Sequence, residues 1–296
     1  VHEKILITGA TGMLGKELVT LLKKQYRAMG VSSAQFDIRD AGAVKEFLGK
    51  MRPDIVIHAA AMVNVDGCET DPETARAVNA VGTENVARAC ADIGCRMIYY
   101  STDYVFDGTK GSAYHEEDAT NPINVYGKTK LEGENRALGI LENLCIMRIS
   151  WLYGAARENF VTRTLTEGRK RYRAMLKGEK IEPLAIVSDQ YSCPTWTFDI
   201  AEQTVNIIEN NITGVIHAAS ENACSRFSLA EYIFEEISWD LPLKPIPVAS
   251  YGFKAPRPLK TQLENHRLNE LNLSIMRDYR EAVREFLGMY KAPDDK

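Results

Sequence analysis

Lys4–Gly15 reads KILITGATGMLG, and this stretch decides the fold. KILIT is a short apolar run that ends at a glycine, which predicts a buried strand. Leu14, Leu18, Leu21 and Leu22 then recur at helical spacing, so a helix over about Met13–Lys24 turns one apolar face inward. Three glycines, Gly9, Gly12 and Gly15, fall between and into the two elements. Gly9 permits the tight turn, Gly12 lets backbone approach a pyrophosphate, and Gly15 allows strand and helix to pack closely. The helix N-terminus adds amides and a favourable field for an anion. The spacing is G-x-x-G-x-x-G, and Gly9, Thr11, Gly12, Met13, Leu14 and Gly15 are the candidate dinucleotide contacts.

Outward from this unit, strand and helix keep alternating. Strands are predicted at Arg27–Val31, Asp54–His58, Arg96–Ser101 and Asn143–Ile149, with helices over Ala41–Met51, Asp71–Ile93 and Pro122–Leu141. That order predicts an α/β fold, a doubly wound parallel sheet of the Rossmann kind with right-handed connections. Beyond Trp151 the alternation weakens to a charged helix (Glu158–Lys177), a strand (Leu184–Val187), a helix (Thr197–Asn210) and a returning strand (Gly214–Ala219). A helix near Leu229–Ile237, a proline-rich passage (Leu241–Pro258) and a closing helical region (Leu263–Tyr290) complete the chain, with Ala292–Lys296 as a solvated tail. The division expected is a dinucleotide-binding domain over 1–155 with 184–219 returning to it. A smaller, interleaved substrate-binding domain takes 156–183 and 220–296.

The end of the second strand reads Gly30-Val31-Ser32-Ser33, where an acid would usually hold a ribose diol. Without that carboxylate a 2′-phosphate meets no repulsion, so NADP(H) is tolerated and NAD(H) stays open. Asp37-Ile38 follows; its carboxylate either accepts from an adenine amino group or caps the helix from Ala41. His58-Ala59-Ala60-Ala61 ends the third strand with small residues that leave room for a cofactor.

Chemistry is suggested by Tyr126-Gly127-Lys128-Thr129-Lys130. On a helix, a phenol and an ammonium four residues apart share a face. The ammonium is expected to stabilise the tyrosinate and bring its pKa down from about 10. Many solvated helices carry this pair, so its context decides. Tyr99–Phe106 (YYSTDYVF) follows a strand and delivers hydroxyls to the carboxyl edge of the sheet, where open α/β sheets bind ligands.

Composition narrows the class. The chain has 296 residues, 45% hydrophobic and 26% charged, enough for a substantial core. A formal charge of -4 argues against general nucleic-acid or membrane-surface binding. Six scattered cysteines form no C-x-x-C pair, so neither a metal site nor a disulfide framework is expected. No basic-then-apolar leader and no spanning run are seen, and a cytoplasmic location is expected.

TGATGMLG, HAAA, NAVGTEN (Asn79–Asn85), YSTDYVF and YGKTK occur in the order found in extended short-chain dehydrogenases/reductases. With SWLYG (Ser150–Gly154), DQYSCPT (Asp189–Thr195) and APRPLKTQL (Ala255–Leu263), the chain resembles in particular the dTDP-4-dehydrorhamnose reductase family. The resemblance implies reduction of a sugar-nucleotide ketone by NADP(H) or NAD(H). Tyr126 would protonate the carbonyl oxygen, Lys130 would hold the nicotinamide ribose, and Thr102 would orient the same oxygen. Asp37, Ile38, Ala59, Ala60, Ala61 and Asn79 would line the cofactor site; Asn79 would support a water-linked proton path or act only as a helix-bending polar contact. Val65 (with Asn64 and Asp66), Tyr104, Trp151 and Arg257 would meet the substrate, although Trp151 could be core and Arg257 could pair with a surface acid. Ser192-Cys193 replaces the family's usual Gly-Ala before Pro194, which leaves fine substrate contacts there in doubt. Thr102-Asp103-Tyr104 lacks the second acid of the related dehydratases; a 4-epimerase, or a non-catalytic subunit like the regulatory β subunit of methionine adenosyltransferase, stays open. The partner expected is a small sugar nucleotide, with no nucleic acid or membrane, and a homodimer is left open.

Overall fold

The computed structural model describes residues 3–290, so the expected solvated tail lies outside the described residues. In chain order the first half holds β1 (Lys4–Thr8), α1 (Met13–Leu22), β2 (Arg27–Gly30), α2 (Ala41–Met51), β3 (Ile55–His58), α3 (Val65–Thr70), α4 (Pro72–Arg76), α5 (Gly82–Ile93), β4 (Arg96–Thr102), α6 (Val125–Leu138) and β5 (Leu144–Ile149). The second half adds β6 (Leu152–Tyr153), α7 (Phe160–Leu176), β7 (Leu184–Val187), β8 (Tyr191–Ser192), β9 (Thr195–Trp196), α8 (Thr197–Glu209), β10 (Gly214–His217), β11 (Cys224–Ser225), α9 (Arg226–Glu236), β12 (Leu243–Ile246), α10 (His266–Glu270) and α11 (Tyr279–Met289). Six strands form one parallel sheet in the order β10-β5-β4-β3-β1-β2, the Rossmann-like arrangement expected. The order reverses between β1 and β3, which opens a crevice above their carboxyl ends.

Both sheet faces are covered. Leu14, Leu18, Leu21 and Leu22 of α1 pack with α8 against Ile5, Ile7 and Ile57, while Val44, Leu48, Val86 and Cys90 close the other face. Each such leucine, fully withdrawn from water, stabilises by about 1.5–3 kcal/mol. A separate core gathers Tyr153, Leu165, Trp196, Phe234 and Phe286 from the second half. No helix among the described residues is long and apolar enough to cross a membrane.

Local chemistry sets the boundaries. Asp40, not Asp37, caps α2 by accepting from Ala43 N at 3.0 Å, which removes the capping role considered for Asp37. Asn124 caps α6 through Gly127 N at 2.8 Å, so that helix starts at Val125 and not at Pro122. The helix expected over Asp71–Ile93 is interrupted by a π-turn at Ala77–Val81, a device that often accompanies functional sites. Of the strands in 184–219 only β10 joins the main sheet; β8 pairs with β11, β9 with β6, and β7 pairs in parallel with β12, inside the proline-rich passage. Pro245 hides that strand from sequence reading, since proline within a run argues against a strand except at an edge. The closing helical region is two helices, α10 and α11, with Asn272 at φ 55° between them.

Candidate active site

At the first βα turn, Gly9 has φ +67°, and a Cβ there would sit 2.7 Å from the Ala59 carbonyl. A Cβ at Gly15 would lie 2.1 Å from Gly9 O, so strand and helix approach as closely as the sequence implied. No side chain caps the start of α1, whose first-turn amides are left for a ligand. Above this turn a cavity of about 420 Å³ is lined by Gly9, Thr11, Gly12, Ser32, Ser33, Asp37, Ile38 and Ala59–Ala61. The Asp37 carboxylate is held low by its hydrogen bonds to Arg39, whose Nε and Nη2 approach it at 2.9 and 2.5 Å. An exposed guanidinium therefore stands beside the two serines at the rim of this cavity.

The next cavity, about 380 Å³, shares Gly12, Ala59, Ala61 and Arg157 with the first and is lined by Met13, Leu14, Gly15, Thr102, Asp103, Tyr126 and Lys130. Gly127 brings Tyr126 there. A Cβ at position 127 would fall 2.1 Å from Tyr104 O, so only glycine lets α6 lie against the turn after β4. Tyr126 and Tyr104 meet edge to face at 5.9 Å, and the Thr102 hydroxyl is in hydrogen-bond contact with the Tyr126 phenol. Lys130, almost fully buried, donates to Tyr100 O at 2.6 Å and lies 4.1 Å from the centre of the Tyr99 ring.

The expected lowering of the phenol pKa is not found. Burial pushes Tyr126 up against the lowering effect of Thr102, and Asp103, Cys68 and Tyr104 add to the rise. Burial also pushes Lys130 down to about 7, against the pull of Glu134. The two side chains share a helix face, but the ammonium is turned toward the Tyr100 carbonyl and loses charge in the wall. His58, expected only as the end of a strand, joins Thr8 Oγ1 at 2.8 Å and Thr83 Oγ1 at 3.2 Å and is kept neutral by burial.

Asn79 does not reach the cavities. It sits fully buried in the π-turn, accepting from Met62 N at 2.8 Å and donating to Met62 O and Thr129 Oγ1, each at 3.1 Å. Its side chain is spent on the wall, which favours the polar-contact alternative.

A third cavity, about 470 Å³, shares Met13, Trp151, Leu152 and Glu158 with the second and brings together Val65, Tyr104, Trp151 and Arg257. Each of the three volumes suits a small ligand. Arg257 lines this cavity and also pairs with Asp66 at 3.0 Å, the acid pairing considered for it. Asp66 Oδ1 further accepts from Lys254 N and Ala255 N, and Asn64 Oδ1 caps α3 by accepting from Gly67 N. Trp151 has φ +37°, a strained value for a bulky residue, and its ring lies 4.1 Å under the Arg226 guanidinium.

Sequence reading missed Arg226, Arg163 and Arg157, three cations on these cavity walls. Arg226 left one signal: a cation in the first turn of a helix opposes the helix field, so something other than helix stability selects it. Ser192, at the departure from the family's Gly-Ala, faces Asp103 through a 3.0 Å bond.

The model for the RmlD substrate binding domain matches residues 3–292. A dTDP-4-dehydrorhamnose reductase of Mycolicibacterium smegmatis is 36% identical over 289 residues, 96% of this chain and 84% of the relative. A dTDP-4-keto-6-deoxy-D-glucose reductase of Streptomyces niveus is 32% identical over 99% of both chains. The crystal structure of a Bacillus anthracis dTDP-4-dehydrorhamnose reductase in complex with NADP superimposes with a TM-score of 0.92 at 30% identity, covering 98% of this chain and all of that one. With a three-cavity cleft on a Rossmann-like sheet and a match along nearly its whole length, this chain belongs to the RmlD substrate binding domain family of extended short-chain dehydrogenases/reductases.

Proposed function

We propose that the chain is an NAD(P)H-dependent reductase of the 4-keto group of dTDP-4-dehydro-L-rhamnose, yielding dTDP-L-rhamnose. One observation carries the reading: Tyr126, Lys130 and Thr102 stand on a wall shared with Gly12–Gly15, between a cavity rimmed by Arg39 and one lined by Arg163, Arg226 and Arg257. The glycine turn, uncapped amides and missing acid after β2 fit a phosphorylated dinucleotide, which supplies the hydride. Gly9, Gly12 and the first turn of α1 would hold its pyrophosphate, with Arg157 above them. Ser32, Ser33 and Arg39 would favour a 2′-phosphate, so NADPH is the expected cofactor and NADH the weaker one.

Tyr126, kept protonated by its buried setting, gives its proton to the C4 oxygen as charge develops there. Lys130 holds the nicotinamide ribose and Thr102 fixes the position of the phenol. The arginines of the third cavity receive the diphosphate of the sugar nucleotide, and Trp151 and Tyr104 bound its sugar and base. This reading places the reaction in the cytoplasm, on a sugar nucleotide and without nucleic acid or membrane.

Absorbance of NADPH at saturating cofactor tests it. Oxidation is expected with a dTDP-linked 4-keto-6-deoxysugar and not with the free sugar; no turnover on any such substrate would favour a non-catalytic subunit. Tyr126→Phe is expected to lose about 10²–10⁴-fold in kcat while NADPH affinity stays near wild type.

A further inference from the structure

Gln190, just before β8, is 1% exposed and lines none of the three cavities, yet its amide joins two residues that line the third, Tyr104 and Arg226. Nε2 donates to Tyr104 Oη at 3.2 Å and to Pro258 O at 3.3 Å, and Oε1 accepts from Arg226 Nε at 3.2 Å. Two of these partners fix the way the amide points. Arg226 Nε–H can only donate and the Pro258 carbonyl can only accept, so the amide oxygen faces the guanidinium and the nitrogen faces the carbonyl. The remaining N–H meets the Tyr104 oxygen, which must accept it.

A phenol that accepts here still has its own proton to give. Burial pushes the Tyr104 phenol above its ordinary value against the pull of Arg226, so the proton is present at neutral pH. Among the described residues no protein group accepts it: the nearby Asp103 takes the hydroxyls of Thr102, Ser192 and Thr261 and makes no bond to Tyr104. Arg226 is left in a similar state. Gln190 holds its Nε and the Trp151 ring lies 4.1 Å beneath it, while Nη1 and Nη2 donate to no protein group among the described residues.

We propose that Gln190 is a positioning residue for the substrate: its one amide sets the Tyr104 O–H and the Arg226 Nη groups as joint donors to the sugar-linked phosphate of the sugar nucleotide. The inference rests on the reductase reading and deepens it. The oxygens of a sugar diphosphate only accept, so a phenol serves them only with its proton turned outward, and an N–H fixed on its lone pair enforces that. The ring of Tyr104 meets that of Tyr126 edge to face at 5.9 Å, which puts it beside the place of the reacting carbonyl. The phosphate next to the sugar is therefore the one within its reach.

The test is a double-mutant cycle on the Kd of dTDP, which carries both phosphates and no sugar, measured by calorimetry. Tyr104→Phe should raise that Kd about tenfold. Gln190→Glu keeps an acceptor for Arg226 Nε but turns a second carboxylate oxygen toward Tyr104, which takes the phenol's proton away from the ligand. It should raise the Kd about tenfold or more with Tyr104 present, and at least about threefold less in the Tyr104→Phe background. The lost Pro258 bond and the added charge act in both backgrounds, so the difference isolates the phenol proton. In steady-state kinetics each single variant should raise KM for the sugar nucleotide far more than it lowers kcat, with the Kd of NADPH near wild type. Tyr104→Phe protein that binds dTDP as wild type does, or a Gln190→Glu loss of equal size in both backgrounds, overturns the proposal. Should Gln190→Glu fail to fold, Gln190→Met replaces it: the phenol is then free to turn, Tyr104→Phe should cost clearly less than in wild type, and an undiminished cost overturns the proposal. Wild-type protein that binds dTDP but oxidises NADPH with no dTDP-linked 4-keto-6-deoxysugar removes the reductase reading, while the cycle still decides the role of Gln190. Wild-type protein that binds no dTDP overturns both.

Discussion

Replacing Gly15 by alanine tests the cradle most directly. The added Cβ would stand 2.1 Å from Gly9 O, 2.8 Å from Gly9 C and 2.9 Å from Ala10 Cα. These are backbone atoms that no rotamer change moves aside, and the first is about 1.3 Å short of an ordinary contact, so the turn and α1 must part. Overpacking of this kind costs about 1–3 kcal/mol, which in a chain of this size lowers Tm by roughly 2–10 °C. Dinucleotide binding should suffer in addition, because the displaced elements carry the amides that would face the pyrophosphate. At least a tenfold rise in the Kd for NADPH is expected, about 1.4 kcal/mol. Gly49→Ala is the control: it lies on the exposed side of α2, meets nothing within 4 Å, and should stabilise by about 0.5–1 kcal/mol with unchanged binding. Calorimetry and fluorescence titration of NADPH read both quantities. Wild-type Tm and Kd in Gly15→Ala would refute the close-packing argument.

Three further outcomes follow from the cleft. Arg39→Ala should raise the Kd of NADPH roughly tenfold and leave that of NADH nearly unchanged, with little effect on stability because its pair with Asp37 is exposed; equal effects on both would remove Arg39 from cofactor choice. Arg226→Met should raise KM for the sugar nucleotide roughly tenfold or more while kcat moves far less; steady-state kinetics with an unchanged KM would show that the guanidinium serves only to pack on Trp151. Lys130 is cationic below its pKa and neutral above it, so kcat/KM for the dinucleotide should decline as pH rises through about 7, and a flat profile from pH 6 to 9 would contradict the burial effect.

Much of the architecture was legible because apolar periodicity and glycine spacing are local signals. KILIT followed by Gly9, Gly12 and Gly15 specified a strand, a tight turn and a close-packed helix, and that unit implies its neighbours. Motif order brought Thr102, Tyr126 and Lys130 to one place, and they line one cavity. β12 was hidden by Pro245, and the break in the long helix by a π-turn that carries no breaker residue.

What the chain could state alone was the set of groups and the sheet edge to which they belong, since each motif lies within a few residues of its own strand or helix. Tertiary structure decided protonation and pairing. Whether an ammonium lowers a phenol's pKa depends on where the side chain turns, and Lys130 turns to Tyr100 O in a dry wall. Likewise Asp103 meets Ser192 and Thr261 across 89 and 158 residues of sequence, and Arg226 covers Trp151 from another element. Desolvation and long-range contacts of this kind are properties of the packed interior, and no spacing along the chain encodes them.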